Sequence, residues 1–213
     1  MRKKVLFIVL LVVFALPLCS LASENETRYR FDILVKSSKG KLTKITGTKE
    51  TVIRRFPVWT SQIKYQKEIP YGKEIPISQV LINPPWTPTD SMLKEQKAKI
   101  KKGKKVTLLK KFKPGEPGNP LGRIAFYLDD RYLKVPLRLH GSPSIPKPTT
   151  GRDGLLKGAQ ISKGCTRIDL LDLLVTSNIL SEKELSELVR LIQTRKLHEL
   201  KLKYPVKVKF MAG

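Results

Sequence analysis

Proline placement constrains this chain more than any other feature. Its 15 prolines include one group at positions 70, 76, 84, 85 and 88 and another at 114, 117, 120, 143, 146 and 148. A proline has no N–H to give to a ladder, so these stretches read as loops or sheet edges, not central strands. Away from these prolines apolar residues alternate in Phe31, Ile33 and Val35, in Ile124, Phe126 and Leu128, and in Val206, Val208 and Phe210. A period of two places such residues on one face of a strand, and the chain is predicted to be mainly β. One longer helix is predicted to start at Ser181, where Ser181 and Glu184 make a capping box ahead of Leu185, Leu188, Val189 and Ile192. A shorter helix is predicted over Asp169 to Val175.

Composition narrows the class. With 42 basic against 18 acidic residues the 213-residue chain carries +24, while 40% of it is hydrophobic and 28% charged. That is too apolar for a disordered basic tail and too polar for a multi-span membrane protein. Two cysteines and two histidines exclude a disulfide-dense scaffold and a pair of metal sites. Arg2, Lys3 and Lys4 precede an apolar run from Val5 to Leu16, and Ser20 and Ala22 stand at minus three and minus one of a cut after Ala22. Residues 1–22 therefore read as a signal peptide and 23–213 as the exported domain, periplasmic or otherwise in the cell envelope. An uncleaved anchor is the alternative, although the run is shorter than the about 20 residues of a spanning helix. A lipidation site at Cys19 is weaker still, because Leu18 is too large for the residue that should precede it.

Between Lys94 and Lys113 stand ten lysines and one glutamate. A nucleic-acid partner is not expected, since the leader directs the chain elsewhere and no aromatics interleave with the lysines for base stacking. Anionic envelope polymers or lipid head groups suit the charge better, and a solvated helical or hairpin insertion is the plain alternative.

Cleavage after Ala22 removes Cys19 and leaves Cys165 as the sole cysteine of the domain. A thiol nucleophile needs a base, a group to orient that base, and donors for the oxyanion. The candidate bases are His140 and His198. His198 stands among Arg195, Lys196 and Lys201 and reads as a solvent-facing residue. His140 ends the stretch from Leu133, in which Val135, Leu137 and Leu139 share one strand face and Lys134, Arg138 and His140 the other, so it is not expected in the core. Gly141 follows and would let the backbone turn, leaving the ring accessible. Cys165 lies in Ser162-Lys163-Gly164-Cys165-Thr166-Arg167. The N–H groups of Gly164 and Cys165 can form an oxyanion hole, and Lys163, Arg167 and a following helix N-terminus would each favour a thiolate. A buried, inert cysteine is the other reading.

His140-Gly141 followed by Ser162-Lys163-Gly164-Cys165-Thr166-Arg167 resembles the catalytic signature of the L,D-transpeptidases of the YkuD type. Ile82-Asn83-Pro84-Pro85-Trp86-Thr87-Pro88 is similar to that family's strand end, and Pro114 to Arg123 to its proline- and glycine-rich segment. The likeness spans roughly Arg28 to Phe210. It implies a β-sandwich-like, mostly two-sheet catalytic domain, with the longer C-terminal helix and a short helix after the cysteine. It also implies attack by Cys165 on a tetrapeptide stem of peptidoglycan, loss of D-Ala, and resolution of the thioester by an amine into a cross-link. By the same resemblance His140 is the base, the Gly141 carbonyl orients it, Gly164 and Cys165 bind the oxyanion, Ser162 braces the turn and Arg167 meets a substrate carboxylate. No metal or organic cofactor is expected. The partners are peptidoglycan stem peptides, with anionic envelope polymers or a protein amine acceptor left open. Resolution by water, giving an L,D-carboxypeptidase, or a non-catalytic basic wall-binding module are the alternatives. Lys163 stands where the family most often has histidine, and the loop from Gly141 to Ser162 is longer than usual and reads as a lid or a surface excursion.

Overall fold

A computed structural model of the chain describes residues 26–61, 63–142, 149–150, 156–157, 160–162 and 165–213. The predicted leader lies outside them. Strands β1 (Thr27–Leu34), β2 (Lys39–Thr46) and β3 (Lys49–Pro57) form an antiparallel meander, and two-residue β4 (Thr60–Ser61) and then β5 (Glu74–Ile82) follow along the chain. Helix α1 (Asp90–Lys101) precedes β6 (Ile124–Leu128) and β7 (Arg138–His140). Short pieces β8 (Thr149–Thr150), β9 (Leu156–Lys157), β10 (Gln160–Ser162) and β11 (Thr166–Arg167) follow. Helices α2 (Leu170–Thr176) and α3 (Glu182–Gln193) come next, and β12 (His198–Glu199) and β13 (Val206–Met211) close the order.

The main sheet runs β11-β7-β6-β5-β13-β1-β2-β3, with β12 also on β5. β13 lies parallel to β1, with Phe31 opposite Val208 and Ile33 opposite Phe210. The alternation read from the sequence is what packs here: Val206, Val208 and Phe210 are buried and the residues between them are partly exposed. β1 is covered on both faces. One contributes Phe31 and Ile33 to the core, and the other buries Arg30 and Asp32, which pair at 2.6 Å while the same guanidinium reaches Glu50 of β3 at 2.8 Å and Glu74 of β5 at 3.1 Å. A charge taken out of water survives only when partnered in this way.

The fold is mainly β, as expected, but the sandwich-like arrangement comes from one nine-stranded sheet that curls rather than from two sheets. The curl brings Phe31 of β1 and Phe126 of β6 to a ring separation of 6.0 Å. Pro76 corrects the expectation that the prolines avoid central strands. It sits inside β5, where pairing with β13 ends at Pro76 and pairing with β6 begins at Ile77, so the missing N–H falls at the handover between two ladders. The strand expected from Leu133 is also shorter, beginning at Arg138 after Pro136, although Leu137 and Leu139 are buried as their face predicts.

Helix α3 has the predicted capping box at Ser181 and Glu184. Its buried face is Leu188 and Leu191, whereas Val189 is 44% exposed, because Leu185, Leu188 and Leu191 complete one stripe at helical spacing. Helix α2 starts one residue later than expected, with Asp169 as its cap and Leu170, Leu173 and Leu174 buried. The tie between β5 and α3 is Asn83, fully buried at φ 50°. Its amide donates to the carbonyls of Leu191, Ile192 and Lys196 at 3.1 to 3.2 Å, adding to the bonds that the Thr194 hydroxyl and the Arg195 N–H give the first two at the helix end. Asn83→Gly keeps the positive φ and loses these bonds, and is expected to lose about 2–3 kcal/mol in urea unfolding. Asn83→Ala should lose about 1 kcal/mol more, for the left-handed backbone; equal losses would remove backbone conformation from the account.

Candidate active site

Strand β7 is flanked by β6 on one side and β11 on the other. Ala125 pairs with His140 and Tyr127 with Arg138, while β11 runs parallel with Thr166 opposite Leu139 and Arg167 opposite His140. One step back along that register, Cys165 stands opposite Arg138. Residues facing one another across strands share a face, so Cys165, Arg167, Arg138 and His140 form a quartet on one side of the sheet. Leu139 and Phe126 turn the other way into the core. Ala125 offers only a methyl beside the imidazole.

His140 is buried, at 4% exposure, which corrects the expectation of an accessible ring at a strand end. The strand is interior here: the His140 carbonyl accepts from the Ile168 N–H at 2.9 Å, and the Gly141 N–H donates to the Ile124 carbonyl at 3.2 Å. The ring Nδ1 bonds to the Gly141 carbonyl, so Nδ1 carries the proton and Nε2 keeps its lone pair. That carbonyl is positioned by a second glycine. Gly122 has φ +69°, and a Cβ on it would lie 3.0 Å from the Gly141 carbonyl carbon. Asn119 fixes the turn that carries Gly122, donating to the Pro84 carbonyl at 2.6 Å and accepting from the Leu121 N–H at 2.9 Å. Three sequence motifs thus meet at the histidine: the segments of Pro84, of Asn119 to Gly122, and of His140-Gly141. Beside them lies a cleft of about 370 Å³ bordered by Gly122, Arg123, Gly141, Ser142 and Asp169.

Burial dominates the electrostatics of the quartet. It lowers the His140 pKa to about 4, with the nearby Arg167 and Arg138 charges acting in the same direction and the Gly141 carbonyl opposing them. The Cys165 thiol is pushed up by burial, and the Arg138 charge, a backbone hydrogen bond from Arg138 and the Arg167 charge do not offset it. The expectation that the surroundings favour a thiolate is corrected on this point. Helix α2 adds little, since it begins at Leu170 and its Asp172 N–H is already taken by the Asp169 side chain at 3.1 Å. The resting pair is a neutral thiol and a neutral imidazole, suited to base catalysis at the moment of attack rather than to a standing ion pair.

Arg167 is half-buried and its backbone is bonded both ways to Trp59, at 2.8 and 3.0 Å. The Arg138 guanidinium lies 4.5 Å over the Tyr127 ring, which holds it on the quartet's face. Sequence reasoning did not single out Arg138, although the alternation that placed it beside His140 was a sufficient signal. His198 is not brought to the site: it belongs to β12, bonds to the Thr194 hydroxyl at 2.8 Å and pairs with Ile82. Backbone pairing puts Ser162 in β10 beside Ser61. Its side chain, Lys163, the Gly164 half of the expected oxyanion hole and most of the expected lid between Gly141 and Ser162 lie outside the described residues.

The chain is similar to a solved structure of Bd1075 from Bdellovibrio bacteriovorus, at 12% identity and a TM-score of 0.42 over 88% of this chain and 49% of that one. It is also similar to the helical cell shape determining protein Pgp2 from Campylobacter jejuni, at 13% identity and a TM-score of 0.38 over 87% and 48%. The chain spans about half the length of each. No protein-family model matches the chain, and no curated protein does.

The low His140 pKa has a measurable consequence. Below about pH 6.5 the unfolded chain protonates this residue while the native site does not, so stability from this group falls as pH drops from 6.5 towards 4 and levels off below. The size is roughly 3 kcal/mol. Urea unfolding of the wild type and His140→Gln across that window should differ by this slope; parallel curves would show that the imidazole is not held neutral by burial.

Proposed function

We propose that this chain is an exported cysteine L,D-transpeptidase acting on peptidoglycan stem peptides. The observation that carries the reading is that Cys165 leads directly into β11, which pairs with the β7 strand that carries His140, while the imidazole Nδ1 is tied to the Gly141 carbonyl. That arrangement supplies a nucleophile, a base and an orienting group within one register. The family resemblance of the surrounding motifs supplies the substrate.

In this mechanism Nε2 of His140 takes the thiol proton as the sulfur attacks the carbonyl carbon between the L-centre of the stem and its terminal D-Ala. The C–S bond forms and the carbonyl electron pair moves to oxygen, where the amides of Gly164 and Cys165 receive it. Collapse breaks the C–N bond, and the departing D-Ala amine takes the proton back from His140. An acceptor amine then attacks the thioester, gives a proton to His140 and displaces the sulfur, which regains that proton. A buried imidazolium beside two arginines is costly, and a substrate carboxylate against Arg138 and Arg167 reduces the cost by neutralising that charge. An anionic stem peptide therefore raises the basicity of the residue that acts on it.

Cys165→Ala is expected to abolish turnover without unfolding the protein, and His140→Ala to slow acylation by about 10²-fold or more. Mass spectrometry of tetrapeptide muropeptides after incubation tests this. Cross-linked dimers with loss of D-Ala, dependent on Cys165, are the expected result. Tripeptide without dimers would make water the acceptor and the enzyme a carboxypeptidase. Full activity in either variant would overturn the assignment.

A further inference from the structure

The ten lysines between Lys94 and Lys113 occupy an arm that the chemistry proposed for Cys165 does not use. Helix α1 runs outward from its Thr89 cap and buries no residue. The chain turns at Lys102 and Gly103, the latter at φ +67°, and returns to Phe112 without a regular element between. Backbone and side-chain hydrogen bonds hold the arm in place. At its root Trp86 and Phe112 exchange backbone hydrogen bonds of 3.1 and 2.8 Å, with their rings 6.0 Å apart. Midway, the Gln96 amide donates to the Thr107 carbonyl at 2.8 Å. The lysines are all exposed, and Lys94, Lys97 and Lys101 fall on one helical stripe.

A soluble polyanion would need only this charge. The arm also exposes two large aliphatic side chains among the lysines, Ile100 at 49% and Leu108 at 71%. Apolar side chains held in water beside cationic ones match the boundary between phosphate head groups and acyl chains, where the ammonium groups meet anionic lipid and the aliphatic groups leave water. We infer that the arm from Asp90 to Lys113 is a docking element for an anionic lipid bilayer. Helix α1 lies along the surface, Leu108 enters the acyl boundary, and the turn from Lys113 to Gly122 that borders the cleft is held close to the membrane.

A fluorescence measurement on the full chain reads the arm itself. Leu108→Trp places an indole at the position expected to enter the lipid, and the signal of Trp59 and Trp86 is subtracted with the wild-type chain. Vesicles of phosphatidylcholine with about a third phosphatidylglycerol should shift the added emission to the blue, and salt well above physiological strength should reverse it. Replacing Lys97, Lys101, Lys104 and Lys105 by Gln in the same background should raise the lipid concentration required by at least about tenfold. No shift at position 108, an equal shift with pure phosphatidylcholine, or a response to polyphosphate but not to vesicles would each overturn the proposal.

Discussion

Strand β5 carries two ladders in succession, and the shape of the molecule depends on that handover. Its first residues pair with β13 and its later ones with β6. The sheet can then curl so that β1 and β6 face each other across Phe31 and Phe126. Beyond β6 lie β7 and β11, which carry the quartet around Cys165. Asn83 stands where β5 ends, and its bonds to the end of α3 anchor the segment that begins Pro84. Through the Pro84 carbonyl and Asn119 the same anchor reaches Gly122, and through Gly122 the carbonyl that holds the imidazole.

Within the quartet, desolvation outweighs every nearby charge. Two arginines would ordinarily pull a thiol towards its thiolate, yet burial raises the thiol and keeps the imidazole neutral. In the mechanism proposed above, an entering anion would draw the arginine charge onto itself and away from the base. The same low dielectric would, in that mechanism, strengthen the hydrogen bonds of the pair.

Local signals were legible where they act locally. The alternation in β1, β6 and β13, the Ser181 and Glu184 capping box, and the helix after Asp169 each depend on residues within one element. The candidate site was legible as His140-Gly141 and Cys165 because those motifs fix chemistry over a few positions. What the sequence did not show was set by distant chain. Pro76 is acceptable in a central strand only because β13 and β6 divide β5 at that residue. His140 is interior because β11, far along the chain, docks against β7. Leu191 rather than Val189 faces the core because the core lies under one side of α3. The direction of the Cys165 shift depends on burial, which no residue pattern near the cysteine encodes.

The cluster around Arg30 also governs how copies of the molecule meet. Asp32, Glu50 and Glu74 are drawn onto one guanidinium, and Asp129, Asp172 and Glu187 are each held by a neighbouring arginine. Six of the 18 acidic residues are thus committed to the chain's own arginines, and the net charge of +24 sets one copy against another. Two copies therefore repel once their surfaces come within about a Debye length, about 8 Å at physiological ionic strength. Joining two Cys165 sulfurs would require far closer approach against that repulsion, so the charge that makes the surface basic also protects the thiol from bridging between molecules.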